Sequence, residues 1–310
     1  MKKSKSQNDM INVAFSTNNT FCEHCCVAIV SLLETNQHES FSIHLLTINC
    51  VSENINNIKS ICAKYNAEID VIEISESMFK GFPPTGIYSL ACYSRLLLAS
   101  LFPNITKILY LDCDIIVNGS ISELWNIDIS HYSLAGVPDS IKSQNLAKEY
   151  LTCDFSKGYI NSGVLLINLE YWRQNNIQEK FVAFLKSNGK VKLPDQDAIN
   201  EVLSGSIRFV HPKYNAQASY FVFPPPIIQE QKKYIRFLWK GATIVHFTGA
   251  VKPWHLECVN PYKQQYLRYK NLTPYRNALI ATSKNRVCSY TLIILRYLKF
   301  FIAKIRSYIY

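Results

Sequence analysis

The sequence contains no apolar run of the roughly 18 residues that a helix needs to cross a bilayer. It opens with basic residues, Met1-Lys2-Lys3-Ser4-Lys5, but the apolar stretch of about 7–15 residues that defines a secretory signal does not follow. A cytosolic chain with reduced thiols is therefore expected. Charge is also sparse. Only 18% of the 310 residues are charged against 48% hydrophobic, a balance that excludes intrinsic disorder over most of the length. Ten cysteines are too few for a small disulfide scaffold, and the chain is long enough to bury its own core. No repeat and no low-complexity linker interrupts it, and the length suits one large domain or two small ones.

Acidic residues end at Glu257. From Cys258 to Tyr310 there are 10 Lys/Arg and no Asp or Glu, so the net charge of +10 lies entirely in this tail. At about 100° per residue, Arg296, Lys299, Lys304 and Arg306 share one side of a helix, and Ile294, Leu298, Phe301, Ile302, Ile305 and Ile309 the other. A basic helix with an apolar face predicts a partner in an anionic membrane surface. The alternative is a terminal helix packed on the domain with its charges solvated. No nucleic-acid module precedes the tail, so nucleic acid is not expected as a partner. The loss of acidic residues places a boundary near Tyr262, between a body over 1–261 and a basic amphipathic region over 262–310.

Ile11–Ser16, Ser42–Ile48 and Glu68–Ile72 read as strands, and Cys22–Glu34 and Ser52–Tyr65 as helices between them. This alternation predicts an α/β fold with a mostly parallel sheet and crossover helices. Further on, the pattern gives a helix over Ser89–Leu101 carrying Arg95, strands over Lys107–Leu111 and Ser162–Leu169, one helix from Glu170 to about Ser187, a helix over Asp195–Leu203, and a strand over Ala242–Phe247.

Asp112-x-Asp114 follows directly on the apolar strand KILYL. Carboxylates two apart on extended backbone project to one side, and at a strand's carboxyl end they meet ligand. Two such charges call for a cation, and hard oxygen donors favour Mg²⁺, Mn²⁺ or Ca²⁺. His246 ends the strand ATIVHF and adds an imidazole, which moves the preference toward Mn²⁺ over Ca²⁺. Gly249 would let backbone approach a phosphate, and Lys252 would neutralise it. Asp195-Gln196-Asp197 stands at a helix start, where N-capping is the competing explanation. Asn161-Ser162-Gly163 reads equally well as a simple turn. Cys22-Glu23-His24-Cys25-Cys26 is not a zinc site by this reading, since no second ligand pair follows at finger-like spacing; core filling accounts for it.

The segments CYSRLLL (92–98), KILYLDCDIIV (107–117), YINSGVLLINLEYWR (159–173), PDQDAIN (194–200) and HFTGAVKPWH (246–255) together resemble glycosyltransferase family 8. The likeness is greatest to its bacterial lipopolysaccharide α-galactosyl- and glucosyltransferases, with order and spacing kept over roughly residues 11 to 270. The resemblance implies a GT-A fold, a Rossmann-like mixed α/β domain with a smaller C-terminal part. It implies hexose transfer from a UDP-sugar donor to a glycan or lipid-linked glycan acceptor, with retention of configuration and with Mn²⁺, Mg²⁺ being the alternative. By the same resemblance Asp112, Asp114 and His246 hold the metal, Gly249 and Lys252 meet the diphosphate, and Arg95, Asp139, Asn161, Asp195 and Gln196 surround the donor sugar. The family's face residue at the anomeric carbon is an amide, here Gln196. An amide is a poor nucleophile, so front-face attack is expected, with Asp195 as the reserve nucleophile. The tail resembles the family's membrane-associating C-terminus, which implies a peripheral position on the cytoplasmic face of the inner membrane.

The chain departs from the family after its first strand. Thr17-Asn18-Asn19-Thr20 stands where the family carries acidic residues that meet uracil and ribose, so Asn18 is expected at the nucleoside without a charge. The rival readings are a sugar-nucleotide-binding protein without turnover, a glucosyltransferase acting on a protein or polyol, and a metal-dependent nucleotidyltransferase.

Overall fold

The computed structural model of the chain describes residues 10–86, 88–187, 191–278 and 290–306. Its strands are β1 (Ile11–Asn18), β2 (Phe41–Ile48), β3 (Glu68–Glu73), β4 (Lys107–Leu111), β5 (Ile115–Val117), β6 (Leu134–Pro138), β7 (Ile160–Asn168), β8 (Ile207–Phe209), β9 (Ala216–Gln217) and β10 (Ile244–His246). A seven-stranded sheet runs β3-β2-β1-β4-β7-β6-β8, and a three-stranded sheet runs β5-β10-β9. In the large sheet only β7 is antiparallel to its neighbours, β4 and β6. The α/β expectation is met: this is a mixed, mostly parallel GT-A sheet flanked by helices.

Both faces of the large sheet are covered, and that is why its strands read as unbroken apolar runs. Val13, Phe15, Leu109, Leu111 and Leu166 face one core with the helix Cys22–Thr35. Ala14, Ile108, Tyr110, Leu165 and Ile167 face a second core with Leu96, Trp172 and Phe181. Cys22, Cys25 and Cys26 are buried in the first core. The order of the sheet reverses between β1 and β4, so their carboxyl ends flank the crevice where α/β folds bind ligands.

Three local expectations are corrected. Leu90–Leu97 is a 3-10 helix, and only Leu98–Leu101 is α-helical. Three residues per turn stack Cys92 and Arg95 on one edge, and both line the cleft described below. The helix expected over 170–187 is two helices, Leu169–Gln174 and Ile177–Ser187, separated at Asn176, whose φ of 50° asparagine tolerates. Asn161-Ser162-Gly163 is not a turn; it lies within β7.

The composition break near Tyr262 is not a break in packing. Tyr262, Tyr266 and Tyr269 belong to the first core, and Lys270 Nζ lies 2.7 Å from Glu23 Oε1. The helix Lys263–Lys270 is thus tied to the helix Cys22–Thr35. Farther on, the helix Tyr290–Arg306 rests on the body through Phe300, whose ring centroid is 5.2 Å from that of Trp239. Ala303 is buried, and the Arg306 guanidinium lies 4.4 Å from the Phe223 ring centre. Leu298, Phe301, Ile302 and Ile305 form an i, i+3, i+4, i+7 stripe that is 46% to 60% exposed. Lys284, Arg286 and Ile309 lie outside the described residues, as do the side chains of Ile294 and Arg296. Among the described residues no helix is long and apolar enough to cross a membrane.

Candidate active site

A cleft of about 670 Å³ opens at the carboxyl ends of β1 and β4, within the ordinary range for small-molecule sites. Asp112 and Asp114 sit in the short link between β4 and β5. Antiparallel pairing of β5 with β10 sets His246 opposite Ile115. That pairing gathers residues more than a hundred positions apart. One ligand atom from each of Asp112, Asp114 and His246 lies within 4.8 Å of the others. His246 Nε2 is 3.1 Å from Asp114 Oδ1 and 3.8 Å from Asp112 Oδ2. Two carboxylates and an imidazole suit Mn²⁺ or Mg²⁺. The backbone also makes room for the cluster. A Cβ built on Gly163 would sit 2.6 Å from Asp112 Oδ2, so only glycine leaves that space open.

Positive charge surrounds the carboxylates. Arg95, 4% exposed, donates from Nη2 to Asp112 Oδ1 at 2.7 Å and from Nη1 to the Ser162 carbonyl at 2.6 Å. Its Nε lies 3.1 Å from Asp195 Oδ2. Burial alone would loosen the guanidinium's proton, but Asp112 and Asp195 outweigh it and hold the proton more tightly than usual. Lys252 Nζ pairs with Asp114 Oδ2 and donates to the Phe247 carbonyl at 2.8 Å. Burial would raise the Asp114 carboxyl, yet Lys252 and His246 together hold it well below the ordinary carboxylate range. Gly249 has φ of 87°, a backbone shape that glycine adopts without strain.

Across the cleft a set of amides is fully engaged. Gln196 Oε1 accepts from the Ser162 N–H at 3.1 Å and from Asn161 Nδ2 at 3.2 Å. Gln196 Nε2 donates to Asp139 Oδ2 at 2.7 Å and to the Tyr159 hydroxyl oxygen at 3.2 Å. The N-capping explanation does not hold: the N-cap is Leu193, without a side-chain cap, and Asp197, inside the helix, reaches back so that its Oδ2 accepts from the N–H groups of Lys192 and Leu193, each at 2.9 Å. Asp195 instead faces Arg95 and lines the cleft.

Asn18 lines the cleft, and its side chain also shapes the loop. Its Oδ1 accepts from Phe21 N at 3.1 Å and Thr20 Oγ1 at 2.9 Å, and its Nδ2 donates to Ser89 Oγ at 3.0 Å. The structure therefore brings to one cleft every residue expected at the metal, the donor or the sugar, while Asp197 is not among the lining residues. Two neighbours escaped sequence reasoning. Gly163 could have been suspected from a glycine inside an apolar strand run, which marks close approach. Asn215, whose Oδ1 lies 3.1 Å from His246 Nδ1, gave no signal, because it follows a 3-10 turn without periodicity.

Comparison with known proteins supplies the family. The model for glycosyl transferase family 8 matches residues 12–258. The chain is 30% identical over 277 residues to a lipopolysaccharide 1,2-glucosyltransferase of Escherichia coli, covering 87% of this chain and 81% of that one. It is 30% identical over 283 residues to the lipopolysaccharide 1,3-galactosyltransferase of Salmonella typhimurium, covering 89% and 82%. Its fold matches that of the galactosyltransferase LgtC, solved with donor and acceptor sugar analogues, at a TM-score of 0.77, with 23% identity over 85% of this chain and 96% of that one. The chain belongs to glycosyltransferase family 8.

Proposed function

We propose that this chain moves glucose or galactose from a UDP-sugar to a hydroxyl of a glycan acceptor, lipopolysaccharide or a related lipid-linked glycan, with retention of configuration. Convergence of Asp112, Asp114 and His246 on the floor of a sugar-nucleotide-sized cleft is the observation that carries this reading. The named lipopolysaccharide relatives support the acceptor class. Asp112, Asp114 and His246 would hold Mn²⁺, or Mg²⁺ in its place. Such a cation supplies positive charge against the charge that builds on a departing diphosphate. Lys252 adds a second positive charge there, and Gly249 lets the backbone come close. Arg95 balances Asp112 and Asp195, and Asn18 meets the nucleoside.

Retention requires either two displacements or attack on the face that the leaving group vacates. The carboxamide oxygen of Gln196 already accepts two hydrogen bonds, which supports the second route. In that route the acceptor oxygen bonds to the anomeric carbon, the bond from that carbon to the diphosphate breaks, and the acceptor proton passes to the leaving phosphate. Asp139, Asn161 and Gln196 orient the sugar, and Asp195 is the reserve nucleophile.

The exposed apolar stripe of the terminal helix supports a peripheral position on an anionic membrane, at the cytoplasmic face of the inner membrane. Within residues 262–310 we assign that role to the terminal helix; the helix Lys263–Lys270 belongs with the catalytic body. The test is incubation with UDP-glucose or UDP-galactose, Mn²⁺ and a truncated lipopolysaccharide core, with product mass and anomeric configuration as readouts. Retained α-linked hexose is expected. UDP-sugar binding with neither transfer nor hydrolysis would favour a binding protein without turnover.

A further inference from the structure

His246 can bind a cation through Nε2 only if that atom carries a lone pair, so the ring proton must sit on Nδ1. Which nitrogen holds the proton is decided by what faces the other one. Here two backbone N–H groups fix what faces Nδ1. The Gly163 N–H lies 3.1 Å from one terminal atom of the Asn161 side chain. A backbone N–H only donates, so that atom is Oδ1. The same oxygen is 2.9 Å from Asn215, which must therefore turn its NH₂ toward it. The other end of Asn215 is then Oδ1, an acceptor, and it lies 3.1 Å from His246 Nδ1. The Ser162 N–H fixes Gln196 in the same way, through Oε1 at 3.1 Å. Asn161 is thus the shared member of two chains, one ending at His246 and one at Gln196. Asn215 is fully buried and Asn161 is 8% exposed, so water does not compete for these bonds.

We propose that Asn215 is a positioning residue: its carboxamide oxygen accepts the Nδ1 proton of His246, so that a cation between Asp112 and Asp114 meets the Nε2 lone pair. Asn161 transmits the direction of the β7 backbone to Asn215, so this acceptor is in place before any ligand arrives. The proposal deepens the metal-dependent reading above and rests on it, since without a cation Nε2 faces Asp114 Oδ1 at 3.1 Å.

The test has two arms. In the first, ¹⁵N spectra of selectively labelled histidine, assigned by comparison with His246→Gln, report the ring state of the wild-type protein saturated with diamagnetic Mg²⁺. A protonated Nδ1 and an Nε2 resonance shifted by the cation are expected; an unprotonated Nδ1 in the Mg²⁺-loaded protein overturns the proposal whether or not the chain transfers sugar. The second is titration with Mn²⁺ alone, read by the loss of the free-ion electron paramagnetic signal. Asn215→Leu keeps the volume but removes the acceptor, and should weaken Mn²⁺ binding about 10- to 100-fold. Asn215→Asp keeps an acceptor for Nδ1 and should recover most of that loss. Binding by Asn215→Leu within twofold of wild type overturns the proposal, as does equal weakening in both variants. If neither variant folds, the wild-type spectrum alone decides. Tight Mn²⁺ binding with the expected tautomer but no sugar transfer would leave the positioning role standing and remove the transferase reading.

Discussion

A Cβ on Gly163 would lie 2.7 Å from Nδ1 of His246, inside van der Waals contact, and on its other side 2.6 Å from Oδ2 of Asp112. The strand β7 thus passes close beneath the cluster, and its missing side chain is the space that Asp112 and His246 share. Gly163→Ala should push the imidazole off its position while leaving the buried sheet intact. A displacement of about 1 Å at a reacting site costs roughly 10²-fold, so kcat/KM should fall by at least that factor and Mn²⁺ affinity with it. Circular dichroism should stay native. Wild-type turnover in this variant would show that the packing around the cluster is looser than described.

Gln196 reports on the sugar face. Gln196→Ala should lower kcat far more than it weakens UDP binding, because its partners are Asp139, Asn161 and Tyr159 rather than Asn18, the residue proposed to meet the nucleoside. Mass spectrometry of wild-type protein quenched during turnover should reveal no sugar-modified Asp195. Such an adduct would establish a double displacement.

The cleft was largely legible in the sequence because its chief residues stand at the ends of apolar runs. KILYL and ATIVHF want burial, so Asp112, Asp114 and His246 had to emerge at strand ends. Arg95 was legible as a residue but not its 3-10 setting, since a short 3-10 stretch and a helical turn show much the same spacing. Asn215 was invisible because its importance lies in a hydrogen bond to His246, 31 positions away. Charge composition is silent on packing near Tyr262, because a helix without acidic residues still packs through Tyr266 and Tyr269.

His24 stacks on Trp254 with ring centroids 3.3 Å apart, and its Nδ1 lies 2.9 Å from the Tyr266 hydroxyl. Burial, with the nearby Lys270 adding to it, lowers its pKa from 6.5 to about 3. The unfolded chain therefore takes up a proton below pH 6.5 that the folded chain refuses until about pH 3, and stability falls as pH drops through that window. The loss from this residue is about 1.4 kcal/mol at about pH 5.5. Chemical denaturation of wild type and His24→Asn between about pH 7.5 and 5 should show a shallower slope in the variant. Parallel slopes would mean that His24 protonates freely in the folded state.

Truncation after Ala278 removes Lys284, Arg286, Arg296, Lys299, Lys304 and Arg306, but none of the cleft residues. Each basic residue near an anionic surface contributes about 1 kcal/mol, screened by salt. Sedimentation with anionic vesicles should fall sharply on truncation, while transfer to a soluble acceptor stays nearly unchanged. Some salt-resistant binding should persist in the full chain through Leu298, Phe301, Ile302 and Ile305. Loss of soluble-acceptor activity would instead make the terminal helix part of the catalytic body.

In the proposed function Asp112, Asp114 and His246 make a cation-dependent UDP-sugar site. UDP release should be measured for the full chain with UDP-glucose and UDP-galactose, in Mn²⁺ and in excess EDTA, beside Asp112→Asn and Asp114→Asn. Expected are release in Mn²⁺ from at least one of the two donors, its loss in EDTA, and a drop of more than about 10²-fold in each variant. Undiminished release in EDTA, or wild-type turnover by either variant, would contradict that function.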